Sequence, residues 1–339
     1  MGALLLGLAV GSVMFLICLL IARYIMVDTT ICPYNPDLKG KVAIVTGTTS
    51  GIGRETARRF ASLGATVILA DRDSARSEKV AQEITQETGN PSVEHVHCDL
   101  SDLVSVAECA EKISRKYSEI HFLVNSAGVM GPPLTPSKQG YELQYAVNHL
   151  GHFLLTLNLL DNIIKGHGRI VNVSSLAHIW PQEFEFDTVL AKNQPLETFD
   201  SRMGKHSCYG RSKLANIYIA SELQRRFGES GISAFSLHPG NINTNLGRYF
   251  HPLILFFGAP FFVILQKTVV QGAQTSLTCC LSPLDELVPG GYYDDCHIQV
   301  PSKLARDENI ARKVWETSVE QLDEFLTPKA KALVTSAGN

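Results

Sequence analysis

The chain has 339 residues, 45% of them hydrophobic, enough to bury one sizeable core, and no internal repeat or low-complexity tract interrupts it. Its 30 Lys and Arg against 33 Asp and Glu give a formal net charge of −3. With no basic run among them, this argues against a phosphate-tracking surface and a nucleic-acid partner.

Residues Gly2 to Ala22 contain no charge and could cross a bilayer as a helix of about 30 Å. A cleaved signal peptide is the competing reading, but there is no basic n-region, and the apolar stretch exceeds the usual length. An N-terminal transmembrane anchor over 1–27 is therefore expected, followed by a linker over 28–39 that Pro33 and Pro36 mark. The first basic residues, Arg23, Lys39 and Lys41, all follow the anchor. The positive-inside tendency then places the domain that follows in the cytosol, on a single-pass protein of the endoplasmic reticulum or another intracellular membrane. Eight scattered cysteines without a C-x-x-C fit unpaired thiols in a reducing compartment.

Lys41 to Thr46 is a β-branched run that predicts a buried parallel strand. It leads into Thr46-Gly47-Thr48-Thr49-Ser50-Gly51-Ile52-Gly53 and then a helix over Arg54 to Leu63. Strand, glycine loop and helix N-terminus in that order make an anion site, because free backbone N–H groups and the helix dipole face the ligand. The next strand, Ala65 to Ala70, ends at Asp71, where an acid grips the adenosine ribose hydroxyls. Asp71 argues for NAD; Arg72, with Arg54, could hold a 2′-phosphate and argues for NADP. The reading leans slightly to NAD.

Val93 to Cys98, Ile120 to Val124, Ile170 to Val173 and Ile232 to Leu237 are further strands, with a helix over Ser101 to Tyr117. Alternation of β and α predicts an α/β Rossmann fold, a doubly wound parallel sheet in one domain over 40–320 with a tail over 321–339. Ligand should bind beyond the carboxyl ends of the strands.

Tyr209 and Lys213, spaced Y-x-x-x-K, stack on one helix face. A neighbouring ammonium and an oxidised nicotinamide both favour phenolate, so the Tyr209 pKa is expected to fall toward the working pH of a general acid/base. Pro252 to Leu265 carries no charge, is too short to span a bilayer and is broken by Pro260. It suggests a lid over about 245–270; a buried core helix or a homodimer helix is the alternative. His149 with His152, and His95 with His97, lack a third ligand, so no metal site is expected. Asn172-Val173-Ser174 fits a glycosylation pattern inside a predicted buried strand, and Cys208 is read as packing.

From about Lys39 to Trp315 the motifs resemble the short-chain dehydrogenase/reductases, in that family's order. Gly47, Gly51 and Gly53, with Thr49, Ser50 and Ile52 between them, resemble its cofactor loop. Asp99, followed by Leu100, resembles its adenine contact. Asn125-Ser126-Ala127-Gly128 is similar to its N-N-A-G stretch, with Ser126 replacing the second Asn. Asn148, Ser175, Tyr209 and Lys213 match its catalytic tetrad, and Pro239-Gly240 with Thr244 resembles the segment that holds the nicotinamide carboxamide.

Within the family, Val147 to Phe153, Ser174 to His178, Ser212 to Asn216 and Gly291 to Cys296 resemble the retinol dehydrogenases and their membrane-associated relatives. The resemblance implies hydride transfer between a substrate carbinol carbon and a nicotinamide, with the hydroxyl proton passing to Tyr209. It implies that Ser175 bonds the substrate oxygen, Lys213 the nicotinamide ribose, and Asn148 a water leading from Lys213 to solvent. The expected substrate is a lipophilic alcohol or carbonyl of the retinoid, steroid or polyprenol class. Ser175 and Tyr209 stand 34 residues apart, wider than the family's usual spacing, because Trp180 to His206 lies between them. The alternative is a nucleotide-binding interaction protein of the same fold without turnover.

Overall fold

The computed structural model describes residues 30–133, 135–184, 204–242 and 266–337, with short stretches between 10 and 23. The β-branched run after Lys41 forms β1 (Val42–Thr46), which is buried along its whole length. Its alternate residues face opposite sides: Val42 and Ile44 join one hydrophobic cluster, Ala43 and Val45 the other. A strand greasy on both faces needs cover on both: α1 (Gly51–Ser62) and α2 (Ser74–Thr88), following β1 and β2 (Thr66–Asp71), pack on the Ala43 and Val45 face, and helices further along the chain pack on the other.

The pattern continues through β3 (Val93–His97), α3 (Leu103–Lys116) and β4 (Phe122–Asn125). A single turn at Leu143–Tyr145 and a π-helical turn at Ala146–Leu150 run into α4 (Gly151–Lys165). Then come β5 (Arg169–Val173), the long α5 (Gly204–Phe227) and β6 (Ser233–His238). The sheet order is β3-β2-β1-β4-β5-β6, all parallel, so the winding direction reverses between β1 and β4. A crevice opens at that point, beyond the carboxyl ends of the strands.

After α6 (Val269–Leu281), two short strands extend the sheet: β7 (Tyr292–Asp294), parallel to β6, and β8 (His297–Gln299), antiparallel to β7. The all-parallel expectation fails at this edge, where β8 is exposed throughout and shows no alternation to read. The chain ends with α7 (Glu308–Leu322) and α8 (Pro328–Ser336). The stretch expected as a tail is packed: Asn158 of α4 donates to the Phe325 carbonyl at 3.0 Å and accepts from Thr327 N–H at 2.9 Å. Trp315 of α7 is buried against Phe153, their ring centroids 4.9 Å apart.

The linker also packs. Cys32 N–H donates to the Gln274 side chain at 3.0 Å, and Leu38 N–H to the Leu63 carbonyl at 2.8 Å. No helix of the described residues is long and apolar enough to cross a membrane. Residues 1–9, 12, 16, 22 and 24–27 of the expected anchor and 245–265 of the expected lid lie outside the described residues. His149 and His152 are buried; His149 bonds Ser318 and His152 bonds Thr46, each at 2.8 Å. Asn172 of the glycosylation pattern is buried in β5.

Candidate active site

The crevice is a cleft of about 530 Å³. Gly47, Thr49, Ser50, Gly51, Ile52 and Gly53 form one wall, where β1 turns into α1. Two glycines here have no substitute. Gly47 has φ +75° and sits so close to Ala127 that a Cβ would stand 2.7 Å from its Cα. A Cβ on Gly53 would stand 2.3 Å from the Gly47 carbonyl oxygen. The backbone can therefore approach a pyrophosphate at the α1 N-terminus, which is what a dinucleotide requires.

Thr46 Oγ1 accepts the N–H groups of Ser126 and Ala127 at 2.9 and 3.0 Å, tying the glycine loop to the end of β4. Ala127 and Gly128 line the cleft beside it, as do Asp99 and Leu100 from the end of β3. Asn125 does not. It is fully buried, donates to Asn172 Oδ1 at 2.8 Å and Thr156 Oγ1 at 3.1 Å, and so braces β4 against β5 beneath the site.

Asp71 and Arg72 both line the cleft at the end of β2. The Asp71 carboxylate is turned inward: it accepts from Thr48 N–H at 2.8 Å, from the Thr48 hydroxyl, and from Ser77 Oγ at 2.9 Å. Arg54, offered by the sequence as a second phosphate ligand, is instead bound to Glu83 at 3.2 Å and Glu87 at 2.6 Å across α1 and α2. Arg76, one turn into α2, lines the cleft and was missed; its position after a strand end was the available signal.

At the other end, Ser175 follows β5, Tyr209 and Lys213 lie on α5, and Pro239 and Gly240 follow β6; all five line the cleft. Thr244 lies outside the described residues. Gly240 has φ +90°, and a Cβ there would meet the Lys267 side chain at 2.7 Å. The Ser175 hydroxyl lies beside the Tyr209 phenol, while the Lys213 ammonium stands 5.7 Å from the tyrosine ring centroid and donates to the Val173 carbonyl at 2.9 Å.

The electrostatics differ from expectation. Burial pushes the Tyr209 phenol up to about 12, with the nearby Ser175 hydroxyl opposing it, and pulls the Lys213 ammonium down to about 8. The fold desolvates both charged forms, and this outweighs the attraction expected between them. Asn148 sits in the π-helical turn, fully buried and off the cleft wall. Its Oδ1 accepts Val129 N–H at 2.8 Å, and its Nδ2 donates to the Val129 carbonyl and to Ser212 Oγ, each at 3.0 Å.

His238, the residue before Pro239, is a cleft residue that sequence reasoning missed. Its Nδ1 accepts Leu176 N–H at 3.2 Å, linking the end of β6 to the turn that carries Ser175. Burial, then the Lys267 charge, holds its imidazole down near about 4, so it stays a neutral acceptor.

A glycine loop at the switch point, with a Ser, Tyr and Lys converging at the far end of one cleft, defines a nicotinamide-dependent dehydrogenase. A family model described as short chain dehydrogenase matches residues 41–184. Human retinol dehydrogenase 11 is 40% identical over 298 residues, 88% of this chain and 90% of that protein. Mouse retinol dehydrogenase 12 is 37% identical over 295 residues, 86% of this chain and 89% of that protein. An uncharacterised protein from Mycobacterium paratuberculosis has a similar structure, with a TM-score of 0.69 at 30% identity over 88% of this chain and 99% of that one. The chain belongs to the short-chain dehydrogenase family. Within it, this is an NAD(P)-dependent alcohol dehydrogenase or carbonyl reductase that resembles the retinol dehydrogenases.

Proposed function

We propose that the chain interconverts a lipophilic alcohol and its aldehyde or ketone at a membrane, with Tyr209 as general acid/base. When bound, a nicotinamide nucleotide supplies the hydride chemistry. The chain's own residues orient the substrate and handle its proton. One observation carries the reading: Ser175, Tyr209 and Lys213 line one end of the cleft together, with Tyr209 and Lys213 one turn apart on the same helix.

A substrate oxygen placed between those two hydroxyls would accept from both, which stabilises negative charge as it develops. At neutral pH the phenol keeps its proton, the form that serves carbonyl reduction. In the oxidation direction the phenolate of Tyr209, a form the nearby Lys213 ammonium favours, takes the proton of the substrate hydroxyl.

Four features support a greasy substrate. The turn Leu176–Ile179, directly after Ser175, exposes Leu176 and Ile179, and Trp180 behind them is 45% exposed. The Trp180 and Tyr209 ring centroids are 6.4 Å apart, so an apolar wall flanks the reacting centre. The relatives are named for retinol, and the uncharged Gly2 to Ala22 segment suits an anchor with the catalytic domain in the cytosol.

The experiment is turnover of purified protein in detergent with oxidised and reduced NAD and NADP against retinoids, steroids and polyprenols, beside Tyr209→Phe. Turnover lost in the variant while nucleotide still binds is the expected result. Undiminished turnover in Tyr209→Phe would remove the residue from the chemistry.

A further inference from the structure

Resting on the reading of the cleft as a site for an alcohol and its carbonyl, we propose that His178 and His238 are positioning residues for Ser175. From opposite sides they clamp the one peptide group that joins Ser175 to Leu176, and so fix where the serine hydroxyl meets the substrate oxygen.

The carbonyl of Ser175 and the N–H of Leu176 belong to the same planar unit and point opposite ways. His178 Nδ1 lies 2.8 Å from that carbonyl oxygen, and Leu176 N–H donates to His238 Nδ1 at 3.2 Å. A carbonyl only accepts and a backbone N–H only donates, so the partners assign the protons on both rings. His178 carries its proton on Nδ1, while its bare Nε2 accepts Ser302 N–H at 3.2 Å. His238 is the reverse, bare on Nδ1 and protonated on Nε2. Each ring fits only when neutral, because a second proton would set N–H against N–H. Burial holds both imidazoles below their usual range, and nearby Lys267, His178 and Lys213 add to this around His238.

The clamp stands where the sheet stops. Just past the paired ends of β5 and β6, Ser174 N–H donates to the Leu237 carbonyl at 2.7 Å. Two residues on, Leu176 N–H takes the ring of His238, the residue after Leu237. Ser175 is thus bracketed by bonds to β6 on both sides, in an extended conformation with φ −164° and ψ 158°. Its hydroxyl accepts Ala177 N–H at 3.1 Å, a bond that does not use the serine's own proton. Leu176 and Ile179 of the turn are exposed and add little packing, so polar bonds carry much of its placement. His178 is buried, its ring centroid 5.0 Å from that of Tyr292, so the clamp is braced by β7.

The test is reduction of retinaldehyde, or of the fastest carbonyl among the retinoids, steroids and polyprenols, by full-length protein in detergent. A shift of about 1 Å at a reacting group costs about 10²-fold. His238→Leu should therefore lower kcat by about 10–100-fold, while KM for the carbonyl changes less than about threefold and the variant still binds NADPH or NADH. His238→Asn, whose Oδ1 replaces the ring acceptor, should return kcat to within about threefold of wild type. His178→Asn, which keeps a donor for the Ser175 carbonyl, should likewise turn over about tenfold faster than His178→Leu. In a Ser175→Ala background, His238→Leu should cost less than about a further twofold, because the clamp acts through the serine. Equal rates in the Asn and Leu variants at either position, or a full additional loss in the Ser175→Ala background, overturn the proposal and leave the site standing. If Ser175→Ala reduces the carbonyl as fast as wild type, or wild type reduces none, the underlying reading of the cleft fails as well.

Discussion

The Lys213 amine donates to the Val173 carbonyl at 2.9 Å, and the Asn216 side chain donates to the same oxygen at 3.1 Å. The β5 end is thus held by two donors from α5, one of them charged. Replacing the lysine leaves the second donor in place, so Lys213→Met should fold while losing its chemistry. Turnover should drop by about 10²–10⁴-fold, the usual range for disabling acid/base function. Stability supplies an independent readout. The folded amine titrates near 8, against about 10.5 when unfolded, so the unfolded chain binds more protons between those values and this group's contribution to stability rises with pH across that window. Melts at pH 8 and 10 should show that component in wild type and not in Lys213→Met. A variant that keeps wild-type turnover would remove Lys213 from the mechanism.

Gly53→Ala is a second discriminating change, because the new methyl would meet backbone, the Gly47 carbonyl oxygen at 2.3 Å, and not a movable side chain. The loop must shift to admit it. Overpacking of this kind costs about 1–3 kcal/mol. Dinucleotide affinity should fall by about tenfold or more, as the amides around the α1 N-terminus lose their alignment. Gly89→Ala is the control: it is a left-handed C-cap with open space around it, remote from the cleft, so it should cost stability and spare binding. Equal nucleotide affinity in Gly53→Ala and wild type would contradict the cradle geometry.

The sheet was legible where strands are long and buried on both faces: β1, β2 and β6 begin and end within a residue or two of the apolar runs that mark them. Ser175, Tyr209 and Lys213 were legible because their order and the glycine loop reinforce one another. What local pattern could not carry was the direction in which a polar side chain turns. Asp71 turns its carboxylate onto Thr48 and Ser77, and Asn125 turns its amide nitrogen onto Asn172 and Thr156, neither of which spacing along the chain reveals. The Tyr209 pKa was misjudged for a related reason. Spacing reveals the neighbouring lysine, whereas burial, the larger influence, exists only after the chain has packed.

Trp180 is 45% exposed and its ring centroid stands 6.4 Å from that of Tyr209, so it offers apolar surface beside the reacting hydroxyls. A long alkyl or polyene chain resting there gains binding that a short alcohol cannot use. Burying apolar surface is worth about 25 cal/mol per Å², and removing the indole leaves that part of a long substrate in water. Trp180→Ala should therefore raise KM for a retinoid or other long-chain substrate by about tenfold, while kcat/KM for a short alcohol changes less than about twofold. Steady-state kinetics on the pair of substrates tests it. Parallel losses on both would mean that Trp180 supports Tyr209 and does not touch substrate.

Two buried histidines make acid lability a further expectation. Burial holds His149 near about 3 and His152 near about 4, against about 6.5 when exposed. His149 is packed between Tyr145 and Phe153, its ring 5.1 and 5.8 Å from theirs. For each group the folded pKa lies below the unfolded one, so the unfolded chain takes up protons first as pH falls. Stability is complete above about 6.5 and declines from there toward pH 4, by up to about 1.4 kcal/mol per pH unit for each histidine. Denaturant melts at pH 7, 6 and 5 should show this slope, and His149→Gln should reduce it by one proton's share. Because His149 is absent from the cleft wall, nucleotide affinity at pH 7 should survive the change. An unaltered slope in His149→Gln would assign the acid sensitivity to other groups.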